Sequence, residues 1–274
     1  MKIGIITPSY NQGRYLEATI KSIIEQSRPV DYYAIYDSCS TDETAEVLAK
    51  YKNHPLVSKI VIEKDRGQAD ALNRGFAEMP ADIDVMAYLN SDDLLLSGAL
   101  NQVFQAFCKN PDVSIISGER YIIGRRGRLV MHQRIIPMVG SDAYSGISLF
   151  QEATFWKSNL YRSAGGFIDL SYRFAMDYDL FLRMMRVGWS MHYINSPLGA
   201  FRVHELSKTS SMLNNLGLKE INELRQRYGY SKLSFGDWVE GARGIRLKHY
   251  GIWGLFKHRL QALLLRFLVL RVYA

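Results

Sequence analysis

Val85-Met86-Ala87-Tyr88-Leu89-Asn90-Ser91-Asp92-Asp93-Leu94-Leu95-Leu96 is an apolar run broken by a doubly acidic step. Residues 85–89 read as a buried strand, and a helical pattern resumes at Ser97-Gly98-Ala99-Leu100. Adjacent carboxylates at the end of a buried strand repel each other, so the step needs an external reason. One is a hard divalent cation held by oxygen ligands together with a phosphate. The other is that Ser91, Asp92 or Asp93 caps the following helix.

Upstream of this step the chain alternates strands and helices. Ile3-Gly4-Ile5-Ile6 reads as a strand, and Thr7-Pro8-Ser9-Tyr10-Asn11 breaks it with turn chemistry. Leu16, Ile20, Ile23 and Ile24 then recur at helical spacing. Tyr32 to Tyr36 predicts a second strand ending at Asp37-Ser38-Cys39-Ser40-Thr41-Asp42, where Thr41 or Asp42 can cap the next helix. Val57 to Ile62 predicts a third strand, followed by Asp65-Arg66-Gly67 and a helix from about Gln68 to Glu78. The fold class this predicts is α/β, with a mostly parallel sheet flanked by helices. In such sheets ligands bind outside the carboxyl ends of the strands. Ser9, Asp37, Asp65 and Asp92 all fall at such ends and are expected to share one cleft. A Gly-rich dinucleotide fingerprint and a P-loop are both missing, so a metal at Asp92 is the expected means of handling phosphate.

Further along, Val113 to Ser117 predicts a strand, and Gly124-Arg125-Arg126-Gly127-Arg128 predicts the basic tip of a hairpin. A Gly- and Ser-rich loop is expected from about 137 to 149. Gln151 to Trp156 should lead into a short amphipathic helix ending near Gly165-Gly166. Met176, Leu180, Met184 and Val187 recur at helical spacing, which puts Asp177 at a helix start among apolar bulk that could exclude water. The plain alternative is that Asp177 is an N-cap. The plain alternative for Asp37 is a turn with Ser38 and Ser40.

The chain has 274 residues, 47% of them hydrophobic, enough for a substantial core and one or two domains. Two cysteines, Cys39 and Cys108, are too few for a disulfide framework and suggest a reducing compartment. The N-terminus shows no secretory signal pattern. A net charge of +7 is compatible with nucleic acid, anionic lipid or a phosphorylated substrate.

Together these residues resemble the family 2 inverting glycosyltransferases of the GT-A, or nucleotide-diphospho-sugar transferase, fold. The similarity covers roughly residues 1–210. It is carried by Thr7-Pro8-Ser9-Tyr10-Asn11, Asp37 to Asp42, Asp65 to Gly75, Asn90-Ser91-Asp92-Asp93, Gln151 to Trp156, Met176-Asp177-Tyr178-Asp179 and Arg202-Val203-His204. The resemblance implies that Thr7, Pro8, Ser9, Tyr10 and Asp37 hold the base and ribose of a nucleoside diphosphate, with Asp65, Gly67 and Asn73 completing the donor pocket. Asn90, Ser91 and Asp92 stand where the family has Asp-x-Asp, so Asp92 would hold Mg²⁺ or Mn²⁺ on the diphosphate. Asn90 departs from that pattern: its amide can accept from a ribose hydroxyl but brings no charge. His204 would bind the metal or a phosphate oxygen, unless it is structural. Asp93, Gln151, Glu152 and Trp156 would lie on the acceptor side, the alternatives being Asp93 facing the helix and Trp156 in the core or cleft wall. Asp177 matches the catalytic carboxylate, with Met176 where the family usually has Glu.

The implied function is transfer of a hexosyl or N-acetylhexosaminyl group from a nucleotide sugar, UDP-linked, to a glycan or lipid-linked acceptor. The competing reading is a non-catalytic nucleotide-sugar-binding or membrane-scaffold protein of the same fold. A catalytic domain is expected over 1–210, divided near residue 100 into donor and acceptor halves. A helical extension is expected over 211–274. Ile252, Phe256, Leu260, Leu263, Phe267 and Leu270 share one helical face, interrupted by Lys257, Arg259, Arg266 and Arg271. The pattern over about 252–272 suits a helix lying on an anionic bilayer better than a membrane span, with a helix buried against the domain or a second subunit as the alternative. A cytoplasmic protein, peripheral on the inner face of the membrane, is the resulting expectation. This tail accounts for much of the positive charge, and no nucleic-acid motif is present.

Overall fold

The computed structural model describes residues 1–134 and 149–232. The loop expected from about residue 137 and the basic helix expected over about 252–272 lie outside the described residues. The first half follows the expected alternation: β1 Ile3–Ser9, α1 Gly13–Ile24, β2 Tyr32–Asp37, α2 Thr44–Tyr51, β3 Lys59–Ile62, α3 Gln68–Ala77 and β4 Val85–Tyr88. These four strands are parallel, in the order β3-β2-β1-β4. Side-chain alternation sorts their residues onto two cores. Ile3, Ile5, Tyr33, Ile35, Val85 and Ala87 face the side covered by α1 and α2. Ile6, Ala34, Tyr36, Met86 and Tyr88 face the side covered by α3. α3 lies close on β1: a Cβ at Gly75 would stand 2.7 Å from the Ile6 side chain.

The second half continues the sheet with β5 Leu94–Leu95, α4 Ala99–Lys109, β6 Ile115–Gly124, β7 Leu129–Gln133, β8 Thr154–Lys157, α5 Ser158–Ser163, α6 Met176–Arg186, β9 Met191–Val203, α7 Lys208–Met212 and α8 Leu218–Arg227. The strand order runs on as β4-β8-β6-β9-β5, with β7 paired to β6. Thr154-Phe155-Trp156, expected only to lead into a helix, is itself a strand, antiparallel between β4 and β6. β9 was not anticipated, because Pro197 and Gly199 interrupt its pattern. Its pairing with β6 shifts register between Gly118 and Arg120, opposite Pro197 and Gly199. Gly199 is required there, since a Cβ would lie 2.4 Å from the Glu152 carbonyl oxygen. β9 is what carries Arg202 and His204 back to the turn after β4.

Asp42 pins two helix starts at once. One carboxylate oxygen accepts the Gly13 N–H at 3.0 Å, and the other accepts the Thr44 N–H at 3.0 Å. Asp42→Ala leaves both donors unsatisfied, so thermal or chemical unfolding should show a loss of about 1–2 kcal/mol. An unchanged unfolding midpoint would contradict this account of the α1–α2 junction.

Candidate active site

A cleft of about 1160 Å³ opens at the carboxyl ends of the parallel strands and is closed on its far side by the start of α6. Pro8, Ser9 and Tyr10 from β1 and its turn line it, as do Asp65 and Gly67 before α3 and Ser91 after β4. Ser9 Oγ is buried in this wall without a hydrogen-bond partner, which suits a ligand that supplies one. Tyr10 is 62% exposed beside it. The rim is stitched together by side chains. The Asn11 N–H donates to Ser40 Oγ at 2.7 Å, and the Thr41 N–H donates to Asn11 Oδ1 at 2.8 Å. Asn11 and Cys39 both adopt left-handed backbone, at φ 51° and 54°. Asparagine tolerates that region, whereas Cys39 holds it at a cost of roughly 1–3 kcal/mol.

The acidic step forms the cleft floor. Asp92 Oδ2 lies 2.9 Å from His204 Nε2, and the His204 ring packs on Tyr15 with centroids 4.7 Å apart. Arg202 Nε donates to the Asp92 carbonyl oxygen at 2.7 Å, while the Arg202 N–H donates to Asp93 Oδ1 at 2.9 Å. Asp93 is 1% exposed. Burial, then the charges of Asp92 and Glu152, pushes its carboxyl well above the usual range. Asn90 Nδ2 donates to Asp93 and to Gln151 Oε1, while Asn90 Oδ1 accepts from Gln68 Nε2. Gln151 Nε2 in turn donates to the Tyr88 carbonyl. Glu152 pairs with Arg120 at 3.2 Å, and the Arg120 guanidinium sits 4.0 Å from the Phe150 ring centroid.

Across the cleft, Asp177 is the second residue of α6 and lines the cavity. It is not an N-cap; that position is Ala175, and Asp177 Oδ1 accepts the adjacent Tyr178 N–H at 2.8 Å. Burial raises the Asp177 carboxyl above the usual range, opposed by that N–H and by Lys208. Lys208 also lines the cleft and donates from Nζ to the Arg173 carbonyl at 2.8 Å. Burial pushes its ammonium down to about 8 against the attraction of Asp177.

Not every expected residue reaches this surface. Thr7 is fully buried and accepts from Tyr33 OH. Asp37 is 3% exposed and spends both oxygens on Ser40, through its N–H and Oγ, so the turn-forming alternative describes its geometry. Asn73 is committed to the Ile168 main chain through both ends of its amide. Trp156 corrects the acceptor-side expectation: it is fully buried in the core among Phe76, Tyr88 and Phe181, and cannot touch an acceptor. Sequence reasoning missed Arg120 and Lys208, and named Gln68 only as part of the Asp65–Gly75 segment. Lys208 had a signal, four residues beyond His204, whereas Arg120 is placed only by strand order.

Residues 4–176 match the family described as "Glycosyl transferase family 2", a span that stops one residue before Asp177. The chain is 25% identical over 244 residues to the chondroitin synthase of Escherichia coli, covering 85% of this chain and 34% of that protein. It is 26% identical over 193 residues to the minor teichoic acid biosynthesis protein GgaA of Bacillus subtilis, covering 66% of this chain and 43% of that one. The chain thus spans less than half the length of these relatives. Among solved structures, S. aureus TarS in complex with UDP-GlcNAc superposes with a TM-score of 0.65 at 15% identity, over 92% of this chain and 73% of that one. The mannosyltransferase PcManGT of Pyrobaculum calidifontis, with GDP-Man and Mn²⁺, gives a TM-score of 0.63 at 18% identity, over 95% and 73%. At these identities the likeness shows the fold, GT-A.

The raised pKa makes ionised Asp177 a burden on stability. Below the ordinary value near 3.8 both folded and unfolded states carry the proton, and the burden is absent. It develops as pH rises from there through the higher folded value, then levels off. Asp177→Asn should therefore raise the melting temperature at pH 7–8, and the gain should shrink as pH falls. A destabilised variant at neutral pH would contradict the desolvated carboxylate.

Proposed function

The chain belongs to glycosyl transferase family 2, and from that premise we propose that it transfers a sugar from a UDP-linked donor to a hydroxyl of a glycan or lipid-linked acceptor, with inversion. The observation that carries this reading is that Asp92 and Asp177, eighty-five positions apart in sequence, line one cleft. The unpartnered Ser9 hydroxyl and the exposed Tyr10 give the donor side a wall suited to a nucleoside. The solved complex of a similar fold with UDP-GlcNAc supports the donor class.

Asp92 and His204 suit a divalent cation, Mg²⁺ or Mn²⁺, as a carboxylate oxygen and an imidazole nitrogen already 2.9 Å apart. Among the described residues no group of three or more His, Cys, Asp or Glu could hold a metal. The donor's diphosphate oxygens would complete the shell, as is usual for Mg²⁺. His204 can offer Nε2 as a ligand only with its proton on Nδ1. Bound there, the cation would supply charge stabilisation for the leaving diphosphate. Lys208 lies within electrostatic reach of both Asp177 and Asp92.

Asp177 takes the proton of the acceptor hydroxyl as that oxygen attacks the anomeric carbon from the face opposite the diphosphate. Its burial strengthens it as a base, and base catalysis of this kind contributes about 10²–10⁴-fold. One displacement inverts the configuration. Among the described residues no helix is long and apolar enough to cross a membrane. The basic stretch over about 252–272 would bring the enzyme to an anionic membrane surface.

A thermal-shift panel of UDP-sugars with and without Mn²⁺ tests the donor class, because a ligand of the folded form raises its apparent stability. Asp92→Ala should abolish the Mn²⁺-dependent shift, whereas Asp177→Asn should keep it and lose about 10²–10⁴-fold in transfer. Full transfer by Asp177→Asn would remove the base. Bound donor should also slow maleimide labelling of Cys39, which lines the cleft, and leave exposed Cys108 on α4 unaffected. For the active enzyme, the acid limb of kcat/KM should lie above the ordinary aspartate range, with activity falling as Asp177 gains its proton.

A further inference from the structure

We infer that Glu220, on α8, is a positioning residue whose carboxylate fixes the turn that presents Asp177 to the cleft. This rests on Asp177 being the base. α6 starts at Met176, and its N-cap, Ala175, has no side chain to satisfy the free N–H groups of the helix start. Glu220 supplies an acceptor for the Ala175 N–H from forty-five positions away, and for the two N–H groups before it. Its Oε1 accepts the Arg173 N–H at 3.0 Å, and its Oε2 accepts the Phe174 and Ala175 N–H groups at 2.8 and 2.9 Å. The carboxylate is 5% exposed, so these charge-assisted bonds act with little competing water. Negative charge at a helix N-terminus is favourable in itself.

The same turn is held from its other side, where Lys208 Nζ donates to the Arg173 carbonyl. Arg173 is therefore gripped at both its N–H and its C=O by side chains from the segment after His204. Glu220 is itself anchored, because Ile221 and Leu224 beside it are 1% and 0% exposed in the core. By contrast, the hydrogen bond made by the Asp177 side chain is to the neighbouring Tyr178 N–H, which orients it only within its own helix. The direction in which α6 aims that carboxylate depends on the 173–175 turn, and so on Glu220. The residue lies beyond the 4–176 stretch matched to the family.

The test compares Glu220→Gln and Glu220→Asp in the full chain, using UDP release from UDP-GlcNAc with Mn²⁺, normalised to folded protein. The glutamine amide turns a donor toward N–H donors. The expected result is a fall in kcat on the order of 10²-fold, the loss that a misplacement of about 1 Å brings, with donor KM and the Mn²⁺-dependent thermal shift unchanged. Glu220→Asp keeps the charge and should recover much of kcat. Amide hydrogen exchange, which needs no substrate, should accelerate across 173–178 in Glu220→Gln and stay unchanged in β1 and α3. Unchanged kcat, a loss confined to KM, or unchanged exchange at 173–178 would overturn the inference. If Glu220→Gln does not fold, amide exchange in Glu220→Asp decides: faster exchange across 173–178 from the shortened arm supports the role, and unchanged exchange there ends it. Full turnover by Asp177→Asn, measured alongside, overturns the base assignment and this inference with it, a result separate from anything the Glu220 variants show.

Discussion

A carboxylate almost sealed from water, Asp93, joins two stretches of chain 109 positions apart by accepting the Arg202 N–H. That bond, together with the Arg202 Nε bond to the Asp92 carbonyl and the pairing of β9 with β5, fixes the end of β9 against the turn after β4 and brings His204 to Asp92. The site tolerates adjacent Asp92 and Asp93 because Asp93 is given donors and allowed to hold its proton more tightly. Two unit charges about 4 Å apart at an effective dielectric near 20 repel by about 4 kcal/mol, so a third carboxylate at position 90 would be costly. Asn90 resolves this: its amide donates to Asp93 and Gln151 and accepts from Gln68, which no ionised aspartate could do. Asn90 thus completes this floor without adding a third charge at the acidic step.

The two walls of the cleft are prepared differently. The floor is a network of short hydrogen bonds whose members are largely satisfied. The α6 wall instead carries a desolvated carboxylate with one local hydrogen bond, held in place by a helix start that is capped from α8. Stability is given up at Asp177 and restored around it, the usual division between reactive and supporting groups. Lys208 links the walls, since its ammonium contacts the turn before α6 and feels both Asp177 and Asp92.

The β1–β4 half was legible because each strand is a short apolar run and each helix has clean spacing, and a parallel sheet then places every strand end at one edge. Ser9, Asp65 and Asp92 could be placed on the cleft from that rule alone, whereas Asp177, at the start of α6, was placed there only by the resemblance to the family. Asp37 falls at such a strand end and Asn73 lies within α3, yet nearby main-chain and hydroxyl groups claim their polar atoms, and no spacing reveals that competition. β9 was hidden by Pro197 and Gly199, whose purpose is clear only beside Gly118 and Glu152. Trp156 was placed on the acceptor side by the resemblance; its burial follows from a strand that lies in the middle of the sheet, a fact of strand order rather than of periodicity. Glu220 was unreadable for a related reason: a cap supplied from another helix has no characteristic distance along the chain.

The central claim is that a cation site at Asp92 and His204 and a base at Asp177 flank one sugar. A crystal structure of the chain with Mn²⁺ and a non-hydrolysable UDP-sugar tests it most directly. The account predicts the metal on Asp92 and the diphosphate, with the Asp177 carboxylate on the opposite face of the anomeric carbon. A diphosphate bound away from Asp92, or an anomeric carbon turned away from Asp177, would contradict it.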